Sequence, residues 1–332
     1  MKKHKICKIL LVILAIFLCV AFYELLGICV AYKKQPEVSN TTKKETKNGS
    51  WNECSENTER AVIIEKNPEA LLQRVRLIKN AKKEIILSTF AFQSDESGKL
   101  ILGALHDAAD RGVHIRLLVD GMESWIDMEG NPYFYGLSSH ENVEIKLYNK
   151  ANPLKPWKMM GRMHDKYLIA DGKRYILGGR NTYNYFLGDF PGHKNYDRDV
   201  LVVCDEPEKE NSVNQLSEYF ETIWNQEDCG YFHNNKKLAN RKSVKNAVLE
   251  LQNGYQKYFE ENKERICETN YTDETFETEK ITLVSNPIHT GSKEPVVWYQ
   301  LGELMKNAKN RVKIHTPYII CNDMMYNTCL LY

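Results

Sequence analysis

The stretch MHDKYLIADGKRYILGGRN, from Met163 to Asn181, gathers residue types that phosphate chemistry uses. Its fixed points are His164, Lys166, Asp171, Gly178 and Asn181, with one, four, six and two residues between them. A neutral imidazole is a good nucleophile near pH 7, and a covalent adduct splits one difficult displacement into two easier ones. A lysine two residues on supplies a point charge for phosphate oxygens. On a strand, side chains alternate between faces, so His164 and Lys166 would project together. Gly178 and Gly179 follow the strand Tyr175-Ile176-Leu177 and would let backbone approach a ligand closely. Asn181 can donate its amide to a phosphoryl oxygen. The set therefore reads as a phosphate-gripping half-site, with His164 as nucleophile and Lys166, Gly178, Gly179 and Asn181 around the substrate.

A nucleophilic histidine needs its second nitrogen held, and an acid accepting from that nitrogen would fix the tautomer. Asp199, just before the strand that starts at Val200, is the candidate, with Asp197 as its rival. Asp171 reads as structural, because Asp171-Gly172 between two strands is a strong hairpin signal. The basic segment Lys150 to Met163 carries Trp157 and two prolines, and reads either as a loop touching anionic headgroups or as a solvated loop with one packed tryptophan. His193 and Lys194 lie in a Gly/Pro loop and read as incidental.

The elements around the motif are α/β. Leu71, Leu72, Val75 and Ile78 recur at helical spacing, and Glu84 to Phe92 reads as a buried strand. Lys99 to Asp110 forms a second amphipathic helix that Gly112 is placed to end. Strands follow at Val113 to Val119, Val143 to Tyr148 and Val200 to Cys204. Strand–helix–strand order implies parallel pairing with helices covering the sheet. Leu216, Tyr219, Phe220, Ile223 and Trp224 mark one helix face whose aromatic stripe reads as core packing. Val244 to Tyr258 suggests a further helix.

The chain then repeats itself. LLQRVRLIKNAKKEIILSTFAF (Leu71 to Phe92) aligns without gaps to WYQLGELMKNAKNRVKIHTPYI (Trp298 to Ile319) at an offset of 227 residues. A period that long indicates duplicated domains rather than a solenoid. The motif H-x-K-x4-D-x6-G-x2-N resembles that of the phospholipase D superfamily at every fixed position. The unit ending STFAF, the segment AADRGVHIRLLVDG and the strand RDVLVV are similar to those of bacterial cardiolipin synthases and their relatives. The resemblance covers about 59–224 and resumes near Lys280. It implies an α/β, phospholipase D-like sandwich: a mixed sheet flanked by helices, with one full copy and the start of a second. It assigns His164 as the nucleophile that forms a phosphohistidine, and Lys166 and Asn181 as phosphate ligands, without a metal or other cofactor. Two halves, each giving one HxK, are implied for a shared site. By the first half's spacing a second HxK would fall near position 391, and the 332 residues hold one. Three outcomes are expected from this: a piece of a longer enzyme, a homodimer in which each copy gives its His164, or an inactive membrane-anchored half-domain. The expected divisions are an anchor over 1–34, a linker over 35–58, a first phospholipase D-like domain over 59–230, a helical connector over 231–279 and an incomplete second domain over 280–332.

Composition narrows the function classes. A net charge of +1 gives no broad field for nucleic acid, so a nucleic-acid phosphodiesterase is the second choice behind a phospholipid phosphatidyltransferase or phospholipase. The apolar run Ile9 to Tyr32, broken by Glu24, is long enough to span a bilayer and reads as an anchor rather than a cleaved signal peptide. Lys2, Lys3, Lys5 and Lys8 before it favour a cytoplasmic N-terminus and an extracytoplasmic globular part. The partners expected are therefore a phospholipid membrane, a lipid substrate and a second HxK half. Nine cysteines include no CxxC pair, which argues against zinc, and the spacing assigns no disulfide, although Cys229 with Cys267 is a candidate. Three Asn-x-Ser/Thr sequons, at Asn40, Asn48 and Asn270, matter only in a eukaryotic secretory setting.

Overall fold

The computed structural model describes residues 2–47, 49, 59–204, 211–314, 316 and 323–329. Cys54, Cys321, Asn48 and, in the repeated segment near 311–319, residues 315 and 317–319 lie outside the described residues. Two compact units divide the chain, one of 1–54, 155–158 and 282–332 and the other of 55–154 and 159–281.

The first unit opens with α1 (Lys2–Ala31), which is long and apolar enough to cross a membrane over His4–Ala31. That helix is consistent with membrane anchoring. The segment expected to be a bare linker contains α2 (Asn40–Lys47). Its formation has a local cause: Ser39 Oγ accepts from the Thr42 amide (3.1 Å), and the Ser39 amide donates to Glu294 (2.8 Å). Such side-chain contacts satisfy amides that a helix start leaves open.

The second unit is built on one mixed sheet. Its strands are β1 (Glu59–Ile64), β2 (Glu84–Thr89), β3 (His114–Asp120), β4 (Val143–Tyr148), β5 (Lys166–Ala170), β6 (Arg174–Gly178), β7 (Asp199–Cys204), β8 (Cys229–Tyr231) and β9 (Phe276–Glu277). The spatial order is β8-β4-β3-β2-β5-β6-β7-β1-β9. Strands β2, β3 and β4 are parallel neighbours, while β5, β6 and β7 follow antiparallel. Their interior positions are apolar on both sides, as a sheet covered on both faces requires.

Period-two alternation sorts the strand residues between two layers. On one face Leu87, Leu117, Ile145, Leu168 and Leu201 join a core with α3 (Asn67–Asn80), α4 (Glu96–Asp110), α6 (Pro132–Ser138) and α8 (Lys242–Glu261). On the other, Tyr167 meets Phe220 of α7 (Ser212–Trp224), and Arg116 lies over the same ring at 4.9 Å. The aromatic stripe is core packing, with Phe220, Ile223 and Trp224 buried. α4 ends beside Gly112, whose φ of +86° suits glycine. α5 (Gly121–Asp127) begins directly after β3, capped by Asp120.

The stretch expected to be a connector is built into this sheet-bearing unit. Gly103 and Gly136 have no side chain to hold α8 away: a Cβ on Gly103 would lie 2.7 Å from the Leu251 carbonyl, and one on Gly136 2.6 Å from Val248. α9 (Lys263–Cys267) follows, and β9 then pairs with β1. Cys229 and Cys267 are both free thiols, so that candidate disulfide is not formed. In the first unit, α10 (Val296–Lys306) occupies the helical part of the repeat, whereas Arg311–Ile314 after it form no strand. α11 (Asp323–Cys329) completes the described elements.

Candidate active site

Strand directions bring the motif residues to one edge of the sheet. β5 runs antiparallel to β2, so Lys166, its first residue, pairs with Thr89, the last residue of β2. β6 returns beside β5 and ends at Gly178, which pairs with Asp199 at the start of β7. β3 ends at Asp120 on the same edge, because Val119 pairs with Thr89. The β5–β6 connection is tight: Asp171 and Gly172 have φ of +55° and +63°, and the Lys173 amide donates to the Ala170 carbonyl. Positive φ at both central residues suits a hairpin whose strands twist right-handedly.

His164 stands two residues before Lys166, in extended chain ahead of β5 rather than on the strand itself. The shared orientation nevertheless holds locally. Asp165 points the other way and accepts from Tyr219 (2.8 Å), while Lys166 Nζ donates to the His164 carbonyl (2.6 Å). Phe90 floors the site, with its ring edge-to-face against His164 at 4.6 Å and 5.3 Å from Lys166 Nζ. Burial and the neighbouring Lys166 charge lower the His164 imidazole below its ordinary value, against an opposite pull from Asp120. Burial also lowers the Lys166 ammonium to about 8. Burial thereby favours the neutral imidazole, and the lysine keeps its charge at pH 7.

Asn181 is held beside Ala91, the residue that follows Phe90. Its Oδ1 accepts from the Ala91 amide (3.2 Å), which fixes the side chain and leaves the Nδ2 donor uncommitted among the described residues. Thr182 holds the same junction through its amide to the Ala91 carbonyl and its hydroxyl to Thr89. Gly178 and Gly179 admit protein rather than open space: a Cβ on Gly178 would lie 2.0 Å from Asp199 Oδ1, and one on Gly179 2.0 Å from Asp197 Oδ2. Their smallness lets the Asp197–Asp199 segment close against β6.

The two aspartates divide differently from the sequence expectation. Asp199 is buried, and its Oδ2 is paired with Arg74 (2.9 Å) and Arg180 (3.2 Å). It is not brought to His164; it locks α3 to the residue just before Asn181. Asp197 lies over Gly179, and its charge favours the protonated form of Lys166. Asp171 collects the amides of Lys82, Lys83 and Glu84 at 2.7–3.1 Å, which fastens the hairpin to the entrance of β2. Lys194 donates to the Asn184 carbonyl and His193 packs near Tyr185, both within their own loop region.

A further group was not assigned from sequence. Asp120 is buried; its Oδ1 accepts from the Met122 and Glu123 amides and from Arg162 Nε, and its Oδ2 accepts from the Met163 amide (3.0 Å). Arg162 also pairs with Glu123 (2.8 Å) and lies 4.9 Å from the Phe90 centroid. Asp120 thus caps α5 and holds the chain that delivers His164. The available signal was an Asp-Gly pair ending an apolar strand ahead of a short helix, but nothing local to it pointed to Arg162. Among the described residues no three His, Cys, Asp or Glu side chains converge to hold a metal ion.

The chain is similar to several known proteins. Residues 74–224 match the family model described as cardiolipin synthase, PLD-like domain. An uncharacterized protein of Helicobacter pylori strain J99 is 31% identical over 206 residues, 58% of this chain and 38% of its own. Cardiolipin synthase C of Escherichia coli K12 is 29% identical over 171 residues, 47% of this chain and 34% of its own. The chain thus spans little more than a third of the length of these relatives. Among solved structures, phosphatidylserine synthase of Haemophilus influenzae is similar at 17% identity, covering 67% of this chain and 48% of its own with a TM-score of 0.44.

Proposed function

This chain belongs to the phospholipase D superfamily, and from that we propose that it transfers or hydrolyses phosphodiesters of membrane phospholipids through a phosphohistidine on His164. The observation that carries the proposal is the meeting of His164, Lys166 and Asn181 at one sheet edge, around Phe90. The imidazole attacks phosphorus, forming a P–N bond as the bond to the alcohol oxygen breaks. The departing alkoxide takes a proton from a second histidine. Water or another lipid alcohol then attacks phosphorus, gives its proton to the now neutral second histidine and breaks the P–N bond, which releases His164. Lys166 and the Asn181 amide stabilise charge on the phosphoryl oxygens. Asp120, through Met163 and Arg162, is a positioning residue for the nucleophile, and Asp199 is one for Asn181.

The second histidine comes, in this proposal, from another HxK motif, either on a second copy of this chain or on a second half. A lipid substrate is supported by the apolar helix α1 and by a net charge of +1, which offers little field for nucleic acid. The test is phosphatidylglycerol turnover by the full chain in bilayers. His164→Asn should lower the rate roughly a thousandfold or more while leaving the melting temperature within a few degrees. Equal turnover by wild type and variant would remove His164 from the chemistry.

A further inference from the structure

Beside the motif lies a cavity of about 710 Å³ that the phosphate chemistry does not use. Its apolar lining includes Met122, Trp125, Ile126, Leu147, Met159 and Phe232. A volume of this size belongs to the range of small-molecule sites. Two of its residues, Trp125 and Ile126 on α5, are 70% and 64% exposed, and Leu154 and Met160 beside it are exposed as well. Large apolar side chains gathered around a cavity mouth mark a surface built to meet apolar matter. Leu147 and Phe232 are buried, so the cavity runs from an exposed apolar rim to a buried apolar floor, with Glu129, Lys150 and His233 also in its lining.

Its place in the fold joins it to the HxK segment. Met122 lines the cavity and also contacts Arg162 through its sulfur at 3.5 Å. Gly121, another lining residue, follows Asp120, which holds the Met163 amide. Met159 lies three residues before Arg162 in the same segment. The polar site around His164 and this apolar cavity are therefore two sides of one structure, α5 with the chain from Met159 to His164. A ligand with a phosphodiester at one end and hydrocarbon at the other would fit across it.

We propose that this cavity receives an acyl chain of the phospholipid whose phosphate is held at His164 and Lys166. The inference rests on the phospholipid function proposed above, and it adds an apolar subsite that selects substrates by their hydrocarbon portion. Burying hydrocarbon there gives binding energy remote from the reacting centre, which can be used to orient the phosphate.

The test is photo-crosslinking of the full chain in phosphatidylglycerol nanodiscs doped with phosphatidylglycerol that carries a diazirine at the end of one acyl chain. Adducts are mapped by mass spectrometry. Expected are adducts on the buried floor, at Leu147 or Phe232, falling about tenfold in Ile126→Glu and in the uncharged Ile126→Gln and persisting in Ile126→Leu. Agreement between the two polar variants guards against a folding failure of either one. Adducts confined to α1 and to the exposed Trp125, Leu154 and Met160 would mean surface contact with the bilayer only, and would overturn the proposal. So would floor adducts indifferent to the polar substitutions. The same measurement on His164→Asn separates the two ideas. Floor adducts in a chain without turnover by either form would sustain the subsite and sink the chemistry, whereas turnover without floor adducts would do the reverse.

Discussion

At His164 and Lys166 the same burial has opposite chemical uses. It favours the neutral imidazole, which can attack, and it weakens the hold of the ammonium on its proton without removing it at pH 7. The neutral imidazole is thus present at a lower pH than in a free histidine, while the lysine charge is lost through about 8 instead of the ordinary 10.5. Turnover should rise through an acid limb below the usual imidazole value as His164 loses its proton, fall as the second histidine loses the proton it must donate, and fall further near 8 as Lys166 loses its charge. A pH profile of kcat/KM checks this. In whatever activity Lys166→Arg retains, the step near 8 should vanish and the histidine's remain, because a guanidinium does not titrate in that range. A step left in place near 8 would assign it to another group. Between pH 8 and 10.5 the unfolded chain holds the Lys166 proton more often than the folded one, so this group's contribution to stability rises with pH across that window.

At the scale of elements, two aspartates hold strands in ways that substitution should separate. Asp171 satisfies three amides far from Phe90, so Asp171→Ala should cost about 1–3 kcal/mol of stability while folded molecules keep their turnover. Asp120→Ala removes a helix cap and the anchor of Met163 together, at about 2 kcal/mol or more, and should also depress kcat. Thermal melts with turnover per folded molecule distinguish the two. This contrast also explains what was legible in the sequence. The two strands with the Asp171-Gly172 turn between them could be read because strand period and hairpin chemistry are local properties. The clamp of Asp199 by Arg74 and Arg180 was not legible, because it depends on α3 lying across the start of β7. Arg162 with Asp120 needs the end of β3 beside the entry to β5, a register that no local pattern encodes. The packing of α8 was hidden for a similar reason: its apolar face was visible, but the gaps at Gly103 and Gly136 that receive it belong to other helices.

At the scale of the whole molecule, these 332 residues hold one HxK, and the proposed mechanism needs a second one, on a second half or on a second copy of this chain. In that mechanism the second histidine gives its proton to the leaving alkoxide. If two copies of this chain meet, each His164 serves the other's half-site, and the pairing is that of a twofold dimer. Mixing then becomes diagnostic. With wild type held constant in saturated bilayers, an equal amount of His164→Asn should draw half of the wild-type chains into mixed pairs, lowering turnover to about half by random pairing. Further variant should lower it in proportion to the remaining fraction of wild-type pairs. The mixed pairs would each hold one intact nucleophile without its proton donor, so their deficit tests the division of labour directly. Turnover indifferent to the added variant would show that this chain does not take its second histidine from another copy. Loss of turnover with an unchanged content of wild type would instead locate the partner half-site in a second His164, at the same edge of the same sheet.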